Sequence, residues 1–320
     1  ANGNVGEVGN VAPEINGLVL NYGNWEVSNN MISLRNGTTG THITNTNTTV
    51  VGIRDGLLNT AGQGAQYLYN SIYIYGQNGG SAPGNASYAF LRFAINYAGP
   101  ALSNGAPTTL RNNILINERI GIGNHRALGN IAVTPSTGWN TSTSNYNFVC
   151  NLNTSVSTRW GATDYTWANW LIQSGGDANS TFKPAAATTI ANVQLKPTDL
   201  FMPNYLFGDL RISLLNTDAT DFVDNLGIPV SVVDDIDGDA RHATTPDRGA
   251  DEFNFCQLPD VTLQPTNQLN VCVNSTVNFT TTVTGLAPIT LQWQESINGG
   301  TTWSNLANTG IYSGTSTNTL

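Results

Sequence analysis

Asn70-Ser71-Ile72-Tyr73-Ile74-Tyr75 sets isoleucine and tyrosine at alternating positions, the period of a β-strand, and an asparagine opens the run. Similar runs begin at Asn29 (Asn29-Asn30-Met31-Ile32-Ser33-Leu34), Val50 (Val50-Val51-Gly52-Ile53), Tyr88 (Tyr88-Ala89-Phe90-Leu91-Arg92-Phe93) and Asn112 (Asn112-Asn113-Ile114-Leu115-Ile116). Their starts lie about 20 residues apart, and Gly, Asn, Ser and Pro clusters separate them. No helical periodicity interrupts this half of the chain. A short fixed repeat of strands predicts an all-β solenoid, a parallel β-helix, in preference to a hairpin sandwich or a propeller. Asn30, Asn70 and Asn113 are expected at equivalent corners, where their amides can stack in a hydrogen-bonded ladder and where Asn tolerates left-handed backbone.

The pattern changes at Thr163-Asp164-Tyr165-Thr166-Trp167-Ala168-Asn169-Trp170-Leu171-Ile172. Thr163 is the expected cap of a short helix whose Trp167, Trp170 and Leu171 share one face and cover the open end of the stack. After Leu258-Pro259 a second module is expected. Val271, Val273, Val277 and Phe279 alternate, and Leu291-Gln292-Trp293-Gln294 offers Trp293 as a core tryptophan of a sandwich. The predicted division is therefore 1–255 for the solenoid with its cap and 256–320 for the second module.

Only 10% of the 320 residues are charged, against roughly 25% in an ordinary soluble domain, so neutral Asn, Thr, Ser and Gly dress the surface. The net charge of −9 offers no basic stripe for phosphates, which excludes nucleic acid as an expected partner. No apolar run is long enough for membrane insertion. The start, Ala1-Asn2-Gly3-Asn4, has no leader character, so a processed form or an internal fragment is expected. Thirteen of the 21 acids fall between Asp199 and Asp260. Cys150, Cys256 and Cys272 have no metal-binding spacing.

Four segments carry a resemblance: Gly176-Asp177-Ala178-Asn179-Ser180, Thr198-Asp199-Leu200-Phe201, Asp235-Ile236-Asp237-Gly238-Asp239-Ala240-Arg241 and Pro246-Asp247-Arg248-Gly249-Ala250-Asp251-Glu252-Phe253. Together they resemble the C-terminal part of the right-handed parallel β-helix domains, often of the choice-of-anchor type, in large secreted and surface proteins of gliding-type bacteria. The chain departs from that pattern at Arg248, where an apolar residue is usual, and at Ala240, where Pro is usual. Gln264-Pro265 through Cys272, Leu291 to Gln294 and Asn298-Gly299-Gly300-Thr301-Thr302-Trp303-Ser304 are similar to the immunoglobulin-like repeats that follow such β-helices. The resemblance implies a truncated immunoglobulin-like module and a disulfide from Cys272 to a cysteine beyond Leu320. It also implies further domains in the same polypeptide, type IX secretion and an extracellular, cell-surface location.

Asp235, Asp237 and Asp239 alternate in a Gly-containing loop that suits the oxygen ligands of Ca2+; the alternative is that Asp237 or Asp239 pairs with Arg241 or caps turns. Tyr73 and Tyr75, two apart on one strand, are candidates for a glycan-stacking shelf, or one of them fills the interior. Ser180-Thr181-Phe182-Lys183 has the spacing of an acyl-enzyme motif, but Pro184 follows and no companion motif exists. Gly121-Ile122-Gly123-Asn124-His125-Arg126 reads as a turn, and His42, His125 and His242 as surface or turn residues. Polysaccharide cleavage would need paired carboxylates, and the body offers Glu7, Glu14, Glu26, Asp55 and Glu118. Arg54-Asp55 and Glu118-Arg119 read as solvated edges.

No residue is assigned a catalytic or cofactor-binding role. The expected function is a non-enzymatic structural or adhesive surface protein whose partners are glycans or other cell-surface proteins; a polysaccharide-binding or polysaccharide-cleaving lyase or hydrolase is the alternative.

Overall fold

The computed structural model describes residues 14–34, 49–78, 86–93, 104–121, 123–139, 143–151, 156–184, 200, 209–212, 221–253, 259–285 and 289–320. The chain divides into two compact units, Ala1–Phe253 and Asn254–Leu320.

The strands of the first unit follow one another in threes. The first triplet is β1 (Glu14–Leu20), β2 (Asn24–Ser28) and β3 (Met31–Leu34), and the second is β4 (Thr49–Asp55), β5 (Gly64–Leu68) and β6 (Ser71–Asn78). The third is β7 (Ala86–Arg92), β8 (Thr108–Arg111) and β9 (Ile114–Gly121), and the fourth is β10 (Asn124–Asn130), β11 (Ser144–Asn145) and β12 (Phe148–Asn151). Then come β13 (Thr158–Trp160), β14 (Thr163–Tyr165), helix α1 (Trp167–Ser174) and β15 (Thr181–Pro184). Each strand pairs in parallel with the strand at the same place in the next triplet. Three sheets result, ordered β1-β4-β7-β10-β13-β14, β11-β8-β5-β2 and β15-β12-β9-β6-β3, and only β14 runs antiparallel to its neighbour.

The 20-residue spacing of the sequence is thus corrected. The runs at 29, 70 and 112 belong to β3, β6 and β9, whereas those at 50 and 88 belong to β4 and β7 in another sheet. Equivalent asparagines are 40, 43 and 34 residues apart. The middle strands escaped notice because Asn24–Ser28, Gly64–Leu68 and Thr108–Arg111 are only four or five residues long and set their apolar residues among Asn, Ser, Gly and Thr.

All three sheets contribute to one core: Val50, Ile53, Phe90 and Leu128 from the first, Val27, Tyr67 and Leu110 from the second, and Ile72, Ile74, Leu115 and Val149 from the third. Gly52 is required where β4 nears the third sheet, since a Cβ there would collide with the side chain of Ile72 and the carbonyl of Ala89.

The asparagine ladder forms. The Nδ2 of Asn30 donates to Oδ1 of Asn70 (2.9 Å), that of Asn70 to Asn113 (2.9 Å), and that of Asn113 to Asn147 (3.0 Å). The backbone N–H of Asn30, Asn70 and Asn113 donates to the same oxygens, at 3.1, 2.9 and 2.9 Å. At the last rung the Asn147 N–H donates to Ser180 Oγ (2.9 Å), and Ser180 Oγ donates to Asp177 Oδ1 (2.6 Å). The left-handed residue at each corner precedes the ladder asparagine: Asn29, Tyr69, Asn112 and Tyr146, with φ of 55°, 56°, 58° and 59°. Tyrosine there is disfavoured by its own backbone preference and is held by its surroundings.

Helix α1 is capped by Thr166, whose side chain accepts from the Asn169 N–H, and not by Thr163, which lies in β14; Gly175 ends the helix in the left-handed conformation. Trp170 is fully buried, Trp167 and Leu171 are partly buried, and all three pack on the core. Trp139, Trp160 and Trp170 meet edge to face at centroid distances of 5.5–5.9 Å. The Trp170 indole N–H donates to Asp177 Oδ2 (2.8 Å), which joins this aromatic cluster to the end of the ladder.

In the second unit, β16 (Asp260–Leu263) pairs antiparallel with β17 (Thr282–Thr284), and β18 (Gln294–Glu295) with β19 (Ser304–Asn305). Val271 and Val273 are exposed and lie outside any strand, contrary to the alternation there. Trp293 is half-buried, and its indole N–H donates to the Thr317 carbonyl (2.8 Å).

Candidate functional site

The acid-rich segment from Asp221 to Phe253 lies along the corner between the second and third sheets. Ile228 exchanges hydrogen bonds with the Asn112 side chain (2.7 and 3.0 Å), and its carbonyl accepts from the Tyr69 hydroxyl (3.1 Å). Arg241 stacks over the Tyr69 ring at 4.1 Å and donates to Asn29 Oδ1 (2.8 Å). The segment therefore covers the left-handed corner residues, which accounts for how Tyr69 is held. Arg248 is buried and donates to the Asn179 carbonyl (2.8 Å) and Thr181 Oγ1 (2.6 Å) beside the last strand of the third sheet. At Gly249, φ is +93° and a Cβ would stand 2.5 Å from Ile114 Cδ1.

Oxygens of Asp235, Asp237 and Asp251 lie within 4.8 Å of one another. Asp251 stands in this group where Asp239 was expected. Asp235 Oδ1 accepts from the N–H groups of Asp237 and Asp239 (both 2.8 Å), and its Oδ2 accepts from that of Glu252 (2.9 Å), so it organises the turn. Asp237 forms a two-pronged pair with Arg211 (2.7 and 2.6 Å), not with Arg241, whose carboxylate partner is Glu252 (3.2 Å). Arg211 already supplies positive charge where a cation would sit. Neither it nor Asp251 was found from sequence, because they stand 26 residues before and 14 residues after Asp237 in an irregular stretch.

The Tyr73 and Tyr75 rings stack at 6.1 Å, but they do not form a two-ring shelf. Tyr73 is buried and its hydroxyl donates to Glu118 Oε2 (2.9 Å); Tyr75 reaches solvent. The two charge pairs read as solvated edges are buried: Arg54, Asp55, Glu118 and Arg119 are all under 8% exposed. Asp55 accepts from the Thr108 hydroxyl (2.7 Å) and the Leu57 N–H (3.1 Å), beside the buried Arg92 that is its register partner. Arg92 fastens the segments joining the first two sheets by donating to the carbonyls of Ala106 (2.6 Å) and Thr137 (2.7 Å).

His125 is likewise buried and is no surface residue. Its Nδ1 lies 2.9 Å from Ser87 Oγ, which the Asn117 amide also reaches (2.8 Å). Burial, then Arg119 and Arg126, push the imidazole down to about 4, so it is neutral at pH 7. Among the described residues its Nε2 has no partner, so no carboxylate orients it as a catalytic base. Ser180 serves the ladder, and Lys183 lies in β15 with Nζ 5.4 Å from the Phe222 ring centroid, so they form no acyl-enzyme pair. Cys150 is buried and Cys272 is exposed. Glu7, His42, Asp199 and Cys256 lie outside the described residues.

Burial raises several carboxyl groups well above the usual range, Glu118 to about 8, Asp247 to about 8 and Asp251 to about 6 among them. Each keeps its proton in the folded protein at a pH where the unfolded chain has lost it. The associated stability is full in acid and is lost as pH rises through about 6 and then about 8. The urea midpoint is therefore expected to fall between about pH 5 and about pH 9, and Asp247→Asn to flatten the upper part of that fall. A midpoint that climbs over the same interval would show these groups to be stabilised as carboxylates.

No family model matches the chain, and neither a curated protein nor a solved structure matches it.

Proposed function

We propose that the protein is a non-enzymatic structural or adhesive element of a secreted or cell-surface polypeptide, with the strand triplets as coils of a right-handed parallel β-helix and the second unit as an immunoglobulin-like module. The observation that carries this reading is the amide row from Asn30 to Asn147, buried from Asn70 onward, which locks successive triplets into a rigid stack. A rigid repeating stack with a neutral polar surface suits a spacer or a display surface. The burial of Asp55 and Glu118 supports this reading over polysaccharide cleavage, which needs two carboxyl groups open to a sugar chain.

Surface proteolysis of intact cells, followed by mass spectrometry of the released fragments, tests the proposal. Peptides of this chain released from the surface within a polypeptide much larger than 34.0 kDa are expected. Recovery only inside the cell would end the reading. Release of reducing ends or unsaturated uronates from a polysaccharide, abolished by Glu118→Gln, would establish the enzymatic alternative.

A further inference from the structure

We infer that the outer face of the β2-β5-β8 sheet is a binding groove for an uncharged oligosaccharide. A groove of about 790 Å³ lies there, with Gln66, Thr109, Pro107 and Val230 among its lining residues. Gln66 and Thr109 are register partners on adjacent parallel strands, so their backbones are about 4.8 Å apart. Gly64 lies beside them, where a Cβ would press on the Pro107 carbonyl oxygen (3.2 Å) and the Asn24 side-chain oxygen (3.3 Å).

The amides of this face differ from those of the ladder and seam. Asn70, Asn113, Asn117 and Asn147 are buried and committed to ladder or seam hydrogen bonds. By contrast, among the described residues the side chains of Asn24, Gln66 and Thr109 have no hydrogen-bond partner in the protein. They offer donors and acceptors side by side, as the adjacent hydroxyls of a sugar require.

Charge narrows the ligand further. In a chain of net charge −9 the groove is lined by a single charged residue, Arg111, and by no acid. That leaves little to hold a polycation or a polyanion. A peptide added as an extra strand is disfavoured as well, because both edges of β5 are occupied, by β2 and β8. An apolar ligand would find Leu68 and Trp139 buried within the lining.

This inference rests on the adhesive reading above, and the test separates the two. The full chain is titrated with cello-, manno- and chito-oligosaccharides, with oligogalacturonate as the charged comparison. At least one uncharged series is expected to bind with little salt dependence, about tenfold more weakly in the Gln66→Ala/Thr109→Ala double variant and unchanged in Tyr75→Ala. Absence of binding by every uncharged series, equal affinity in the double variant, or loss in Tyr75→Ala alone would overturn the groove. Binding by a protein that is not exposed on its cells would remove the adhesive reading and leave the groove; surface exposure without binding would do the reverse.

Discussion

Asn113→Ala is expected to destabilise the first unit by about 3–5 kcal/mol, near the top of the range for a single substitution. The side chain is fully buried. Its oxygen accepts from both the N–H and the Nδ2 of Asn70 (both 2.9 Å), and its Nδ2 donates to the carbonyls of Tyr67 and Arg111 (both 2.9 Å) and to Asn147 Oδ1 (3.0 Å). Alanine leaves the Asn70 N–H without its acceptor in a place water does not reach, at about 1–3 kcal/mol for such a group, and weakens the rungs on either side. Asn30→Ala is the internal comparison. Asn30 is only partly buried and donates to the Ser28 carbonyl and to Asn70 Oδ1 (both 2.9 Å), so about 1 kcal/mol is expected. Urea denaturation followed by circular dichroism measures both. Equal midpoints for the two variants would show that the ladder is a row of independent pairs and not a cooperative spine.

A third substitution tests the polarity of the ladder. Asn113→Asp keeps the acceptor toward Asn70 but turns a second oxygen toward the Tyr67 and Arg111 carbonyls, where only a donor is tolerated. The new carboxyl is expected to stay protonated in the folded state above its unfolded pKa. Part of the lost stability therefore returns as the pH is lowered toward about 4.

The ladder was legible because Asn stands before each of three apolar runs, and its amide has both a donor and an acceptor to pass along. What the sequence concealed was the middle strand of every triplet. Gly64-Ala65-Gln66-Tyr67-Leu68 sends Tyr67 inward and Gln66 outward, but it follows directly on Gly62-Gln63 and opens on a glycine, so it resembles a turn. The period was halved for that reason. The corner was displaced by one residue because left-handed backbone suggests Asn or Gly, whereas Tyr69 and Tyr146 hold two of the four corners.

Arg54-Asp55 and Glu118-Arg119 misled for a related reason. Adjacent opposite charges are usually solvated, yet Asp55 is enclosed with Thr108 and Arg92, residues 53 and 37 positions away in sequence. Of the candidate site, Asp235 and Asp237 were legible from their spacing around Gly238. Arg211 and Asp251 were not, since irregular backbone places them there. The contacts of the acidic segment were equally hidden: Ile228 meets Asn112 at a separation of 116 residues, largely through main-chain groups that carry no sequence signature.

Arg248→Leu is expected to cost about 3–5 kcal/mol. Replacing a buried ion pair by apolar residues is often harmless when both partners go, but here three of the four acceptors are main-chain carbonyls that no substitution removes. Arg248 Nε donates to the Leu226 carbonyl (3.0 Å), Nη1 to Thr181 Oγ1 (2.6 Å) and the Phe222 carbonyl (3.0 Å), and Nη2 to the Asn179 carbonyl (2.8 Å). Burial lowers the guanidinium only to about 10, so it remains charged at neutral pH and these are charge-assisted bonds. Lysine cannot replace a planar fork aimed in three directions, and Arg248→Lys is expected to recover less than half of the loss. Two readouts decide what the acidic segment is. If it belongs to the cooperative unit, Arg248→Leu lowers the urea midpoint and speeds protease cleavage within residues 221–253 together. If it is only laid over a self-sufficient stack, cleavage accelerates while the midpoint stays fixed, and Tyr69 and Tyr146 must then be held at their left-handed corners by the stack alone.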